Sequence, residues 1–135
     1  TPGRVRVTWV FAGRDLARCR SSAREIRRLA ARFGGEIELR ALAVDADSGL
    51  VRSFFHLQRI TPAVEFLDSA TTPALRRLRW PGLYVVRGER VERVYPGVPL
   101  DDDASIRARD VEPAVASLLG RPDVESIPRL EKGGP

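Results

Sequence analysis

Residues 4–11 read RVRVTWVF and residues 12–19 read AGRDLARC. The first stretch reads as a buried strand, because β-branched and aromatic side chains fit a pleated, packed surface. Ala12-Gly13-Arg14 then supplies turn chemistry, Asp15 is placed to cap, and Leu16-Ala17-Arg18-Cys19 opens a helical pattern. Leu16, Cys19, Ala23, Ile26, Ala30 and Phe33 recur at three- and four-residue steps and form one apolar stripe. Arg20, Arg24, Arg27, Arg28 and Arg32 fall off that stripe, and Gly34-Gly35 supplies the C-terminal stop. Strand, tight turn and helix in direct succession mark the start of a layered α/β domain.

Working outward, Glu36–Val44 (EIELRALAV) alternates at first and then turns fully apolar, as a strand entering a sheet centre does. Asp45-Ala46-Asp47-Ser48 is turn and cap chemistry. A second helix is expected from Gly49 to about Gln58, with Leu50, Phe54 and Leu57 as its core face. Thr61-Pro62 ends it, Ala63–Leu67 (AVEFL) is a short strand, and Asp68-Ser69 turns out of it. Thr72-Pro73 starts a short helix carrying Leu75 and Leu78, with Pro73 suited to a first helical position. After Trp80-Pro81-Gly82, Leu83–Arg87 (LYVVR) and Arg90–Tyr95 (RVERVY) form a hairpin around Gly88-Glu89. Pro96-Gly97 closes it, the acidic loop Leu100–Asp103 follows, and a last helix is expected from about Asp110 to Leu119. The pattern predicts one domain over residues 1–120 and a flexible tail over 121–135, where prolines and glycines displace periodicity. Strands alternating with helices imply a parallel start, and the closing hairpin makes the sheet mixed.

Composition narrows the function classes. At 135 residues one domain with a real core is expected. No apolar run approaches the ~18–20 residues of a membrane span, so membrane contact is expected only through an anchor preceding Thr1. The net charge of +5 is carried by arginine, with Lys132 the only lysine. Acidic residues are interspersed and no aromatic–basic interleaving occurs, so no nucleic-acid partner is expected. The single cysteine excludes an internal disulfide and a cysteine-based zinc site, and the lone His56 excludes a histidine metal cluster. Asp101-Asp102-Asp103 suits the positive end of the following helix without a metal. No cofactor and no metal are expected.

Three segments together resemble the thioredoxin superfamily, particularly its TlpA-like and redoxin branch. Val7–Cys19 is similar to the family's strand and active-site turn, with Phe11 and Cys19 spaced like the strand aromatic and the second active-site cysteine. Arg79–Val91 (RWPGLYVVRGERV) is similar to the segment holding the family's cis-proline, here Pro81, and its hairpin, and Gly97 falls where the family has a glycine. The strand and helix over 63–78, with Asp68, are similar to the TlpA-like insertion. The resemblance spans residues 4–119 and implies a thioredoxin-like three-layer sandwich, a mixed central sheet flanked by helices. It also implies an edge beside the cis-proline that pairs with an extended client segment, and it tilts localisation toward the periplasm or cell envelope.

The departures bear on the chemistry. The attacking cysteine is replaced by Leu16, the tryptophan before it by Asp15, and the helix proline by Arg24. A dithiol cycle needs one thiolate to attack and a second to resolve, so dithiol oxidoreductase activity is not expected. Two readings remain. The first is a non-catalytic protein-binding module in which an extended peptide or protein docks at the cis-proline edge, with Trp80, Pro81, Arg18 and Arg79 contributing. The second is a monothiol redox protein in which Cys19, flanked by Arg18 and Arg20, exchanges with another thiol or acts like a peroxidase. A peroxidatic site would need a proline and a threonine where this chain has Ala12 and Leu16.

Overall fold

The computed structural model describes residues 4–96 and 108–120. Gly97, the run Asp101–Asp103 and the segment 121–135 lie outside the described residues. Five strands form one mixed sheet: β1 (Val5–Ala12), β2 (Glu38–Val44), β3 (Ala63–Leu67), β4 (Gly82–Arg87) and β5 (Arg90–Pro96), in the spatial order β3-β2-β1-β4-β5. β1 pairs parallel with β2 (Trp9 opposite Ala41) and antiparallel with β4 (Trp9 opposite Leu83). β2 pairs parallel with β3, and β4 with β5 antiparallel through the Gly88-Glu89 turn, where Gly88 takes φ 62°. A left-handed glycine at the first turn position matches the twist that a two-residue hairpin needs.

Alternation along β1 sorts the core into two parts. Val5, Val7, Trp9 and Phe11 face a cluster completed by Ala23, Ile26, Leu29 and Phe33 of α1 (Arg20–Phe33), Val51 and Phe55 of α2 (Ser48–Gln58), and Val111 and Val115 of α3 (Ala108–Leu118). Val10, Val44, Tyr84 and Val86 face the other way and meet Leu75, with Leu78 and Trp80 packed alongside. The mixed sheet is thus layered on both faces, as expected, but unequally. All three α-helices share one face, and the described cover of the other is a 3-10 turn over Pro73–Arg77.

Two local readings are corrected. The first helix does not open at Leu16: residues Gly13–Arg18 wind as a 3-10 turn, Cys19 breaks it at φ −102° and ψ 17°, and α1 begins at Arg20. The cause is the neighbouring loop. A Cβ on Gly13 would stand 2.6 Å from the Asp45 carbonyl oxygen and 2.8 Å from Ala46 Cα, so the chain leaves β1 pressed against the β2–α2 loop and must tighten before it can turn into a helix. The core face of α2 is also rotated. Leu50 and Leu57 are 65% and 75% exposed and Phe54 is half-buried, while Val51 and Phe55 are the buried pair. Aromatic packing decides this: Phe55 stacks on Trp9 at 5.9 Å between ring centroids and 6° between planes, with Phe11 at 6.3 Å.

Caps fix the helix ends. Asp47 accepts the Leu50 N–H at 3.0 Å to start α2. Arg59, at φ 57°, closes it with its own N–H on the His56 and Phe55 carbonyls. Gly34, at φ 51°, returns its N–H to the Ala30 carbonyl to end α1. Arg32 bridges to Glu112 of α3 at 2.9 Å.

The rotated α2 face makes a direct prediction. Phe55→Ala is expected to cost ~3–5 kcal/mol as a core truncation, whereas Leu57→Ala should stay within about 0.5 kcal/mol of wild type. Urea unfolding of the two variants measures both, and a larger loss at Leu57 would place the wrong stripe inside.

Candidate functional site

The loops at the C-terminal ends of the parallel strands β1, β2 and β3 converge with the residues leading into β4, so the pole that carries ligands in open α/β sheets is where the singled-out residues gather. β1 delivers Gly13–Arg18 and Cys19, β2 delivers Asp45–Asp47, β3 delivers Asp68 and Ser69, and Arg79-Trp80-Pro81 enters β4.

Cys19 is fully buried in the helix-side core, and its Sγ donates to the Asp15 carbonyl at 3.0 Å. That bond needs the proton on sulfur, and burial removes the access a nucleophile requires. Cys19 also holds the N-cap position of α1, where it makes no side-chain cap. Leu16 is half-buried and packs against the same core. Asp15 is buried rather than capping a helix, and its Oδ2 meets no hydrogen-bond partner among the described residues. Arg18 is exposed on the same turn.

Trp80 lies in a different place. It packs in the cluster on the opposite face of the sheet from Cys19, half-buried, with its indole N–H donating to the Leu75 carbonyl at 3.3 Å. The Arg14 guanidinium sits 5.6 Å from its ring centroid. The Trp80–Pro81 peptide bond is cis. The Tyr84 hydroxyl closes the preceding residue: it accepts the Arg79 N–H at 2.6 Å and donates to the Arg79 carbonyl at 2.8 Å. Gly82 is required here, since a Cβ would come 2.6 Å from the Arg79 oxygen. Beneath this loop, Arg77, Arg79, Tyr84, Val94 and Pro96 line a groove of about 380 Å³. Of the residues singled out from the sequence, Arg79 lines this groove, and Trp80 and Pro81 follow it in the chain. The structure leaves Cys19 and Arg18 on the far side of the turn.

One member of this pole carried no distinct sequence signal. Asp45 adopts φ 51° and accepts from both the Ser69 N–H (2.9 Å) and the Ser69 hydroxyl (2.6 Å), clasping the loop after β2 to the loop after β3. The Ser69 hydroxyl, then the Ser69 N–H, hold the Asp45 carboxyl below its ordinary value, with the Arg14 charge adding to them. Arg14 thus stands between Asp45 and the Trp80 ring. Only the cap-like composition of residues 45–48 hinted that Asp45 sits in a turn. Its partner 24 residues away was not legible.

No family model matches this chain, and no curated protein matches it. Solved structures do match. A secreted Mycobacterium tuberculosis disulfide oxidoreductase homologous to E. coli DsbE superposes with a TM-score of 0.68 at 18% identity, over 85% of this chain and 82% of that one. A DsbF homologue from Corynebacterium diphtheriae gives 0.65 at 17% identity, over 84% and 71%. The chain has the thioredoxin fold. A thiol:disulfide interchange protein of the thioredoxin family from Chlorobium tepidum also matches it, with a TM-score of 0.55 at 19% identity and coverage of 77% of each chain. The fold is shared, while the sequence holds one cysteine and has leucine three positions before it.

The Asp45 clasp predicts a pH dependence. A carboxyl held low in the folded state contributes stability above its unfolded value, near 3.9, and loses it as pH falls through the folded value. Ser69→Ala is expected to raise the Asp45 titration midpoint, read by carboxyl NMR, and to move acid unfolding to higher pH. An unchanged midpoint would deny the clasp.

Proposed function

We propose that this domain is a non-catalytic protein-binding module that receives an extended segment of another protein beside Pro81, with Trp80 as an aromatic anchor. One observation carries the reading: Leu16 replaces the attacking thiol, and the thiol that remains is enclosed, with its S–H donated to the Asp15 carbonyl. A scaffold lacking an exposed sulfur still offers a docking edge. Among the described residues no group bonds the Trp80 backbone N–H or carbonyl, whereas Arg79 is already closed by Tyr84. An added strand can use those two groups, since main-chain hydrogen bonds supply affinity and side-chain pockets supply specificity. The groove of Arg77, Arg79, Tyr84, Val94 and Pro96 offers an apolar floor with a basic rim for one such side chain. Tryptophan and arginine at the centre of a contact are the side chains that most often dominate binding energy. The secreted M. tuberculosis neighbour supports a location outside the cytoplasm for this domain too.

The reading has two measurable consequences. In an insulin reduction assay with dithiothreitol, the domain is expected to add nothing to the rate of the reductant alone. A photo-crosslinker placed at Arg79 should capture a partner, and Trp80→Ala should weaken that partner tenfold or more, the ~1.4 kcal/mol expected of a central anchor. Robust reductase turnover, or affinity indifferent to Trp80, overturns it.

The thiol itself gives a further prediction. Native Cys19 is expected to resist an aromatic disulfide reagent across pH 6–9 and to react at once in denaturant. Rapid native labelling with an apparent pKa well below the free value of ~8.5 would instead support monothiol exchange.

A further inference from the structure

We propose that α2 is the contact helix of a weak homodimer, in which the stripe Leu50–Phe54–Leu57 packs antiparallel against the same stripe of a second copy. The stripe carries large apolar side chains that the fold does not bury: Leu50 is 65% exposed, Leu57 is 75% exposed, and Phe54 between them is half-buried. Leu50 and Leu57 add little to the helix's own docking, because buried Val51 and Phe55, with the inner side of Phe54, already seat it on the core and Phe55 meets Trp9 and Phe11. Steps of four and then three residues form a straight seam along a helix, the spacing by which two helices interlock.

Three features of α2 favour a second copy over other occupants. Leu50 and Leu57 stand at equal distances from the midpoint between Ser53 and Phe54, so a two-fold axis there sets each Leu50 against the other copy's Leu57. Self-complementarity of this kind is what a two-fold contact requires. Ser53, exposed beside the axis, is small enough to let the two backbones approach. The ends of the helix carry opposite charges: Asp47 caps the start and Arg59 closes the finish. Antiparallel packing brings each Asp47 within a turn of the other copy's Arg59 and sets the two helix dipoles head to tail. Arg59 makes no ion pair among the described residues, so its charge is available for that contact. A lipid surface would accept the leucines but would offer the Asp47 carboxylate no countercharge. Because the stripe spans one helix of 11 residues, the interface falls at the small end of specific contacts, and the dimer is expected to dissociate on dilution.

Sedimentation equilibrium of the full chain from micromolar to millimolar concentration tests the proposal. The weight-average mass should climb toward twice the monomer value. Leu57→Glu, at an exposed position that leaves the far-ultraviolet circular dichroism unchanged, should hold the chain at monomer mass throughout. Arg59→Asp should weaken association several-fold at low salt, and added salt should weaken the wild type in the same direction. A wild type that stays monomeric overturns the proposal, including the case in which it binds phosphatidylglycerol vesicles through the same leucines. A dimer untouched by Leu57→Glu overturns it equally, by placing the contact elsewhere.

Discussion

Strand β1 cannot slip by one residue, and the rest of the molecule is arranged around that fact. It is hydrogen-bonded on both edges, parallel to β2 and antiparallel to β4; one face carries Val5, Val7, Trp9 and Phe11, and the other carries half-buried Arg6 and Thr8 before Val10. A one-residue shift would exchange the faces. Trp9 and Phe11 would then leave the three helices and press on the side whose described cover is Leu75, Leu78 and Trp80, where no described helix takes two large rings. The stack of Trp9, Phe11 and Phe55 is the strongest part of this lock, joining the central strand to a helix that follows it by four elements of structure. It tolerates a buried indole N–H with no acceptor among the described residues, a penalty of ~1–3 kcal/mol that the buried aromatic area has to outweigh.

Fixing β1 also fixes the functional pole. The strand ends at Ala12, so Gly13 must pass against the Asp45 carbonyl, and the six residues Gly13–Arg18 tighten into a 3-10 turn. Antiparallel pairing puts the start of β4 beside the end of β1, with Gly82 opposite Val10, which brings Trp80 and Pro81 next to that turn. The Arg14 guanidinium lies over the Trp80 ring on one side, and its charge favours the ionised carboxyl of the clasped Asp45–Ser69 pair. Three loops distant in sequence are held by one strand end, one ring contact and one carboxylate.

Much of this was legible in the chain. The strands were readable because β-branched and aromatic runs were bounded by glycine and proline, and the hairpin because Gly88-Glu89 lay between two alternating segments. The inner face of α2 was not. Residues 50, 54 and 57 and residues 51 and 55 are both apolar and lie about 100° apart on one helix, so periodicity gives two acceptable faces. Only contact with Trp9, 46 positions before Phe55, selects between them. The start of α1 was misread for a related reason, since Leu16 and Cys19 fit the apolar stripe but the steric demand at Gly13 comes from the next strand's loop. At the candidate site, Trp80 and Arg79 stand out in the sequence because they lead into Pro81. The Asp45–Ser69 clasp joins two ordinary turn residues, and ordinary turn residues carry no mark of their partner.

The same geometry shows how this thioredoxin fold keeps its shape with one sulfur. A leucine at position 16 is served by burial, and the 3-10 turn packs it against the helix-side core. The remaining sulfur lies in that core too, donating to the carbonyl of the turn that carries the leucine. Both side chains pack the turn against the helix-side core. Trp80 packs on the opposite face, out of contact with that core, and its backbone and ring are set by Leu75, Arg14 and the Tyr84-closed residue before it. On the proposed reading, docking at Trp80 is separable from the thiol because the two side chains pack on opposite faces of the sheet.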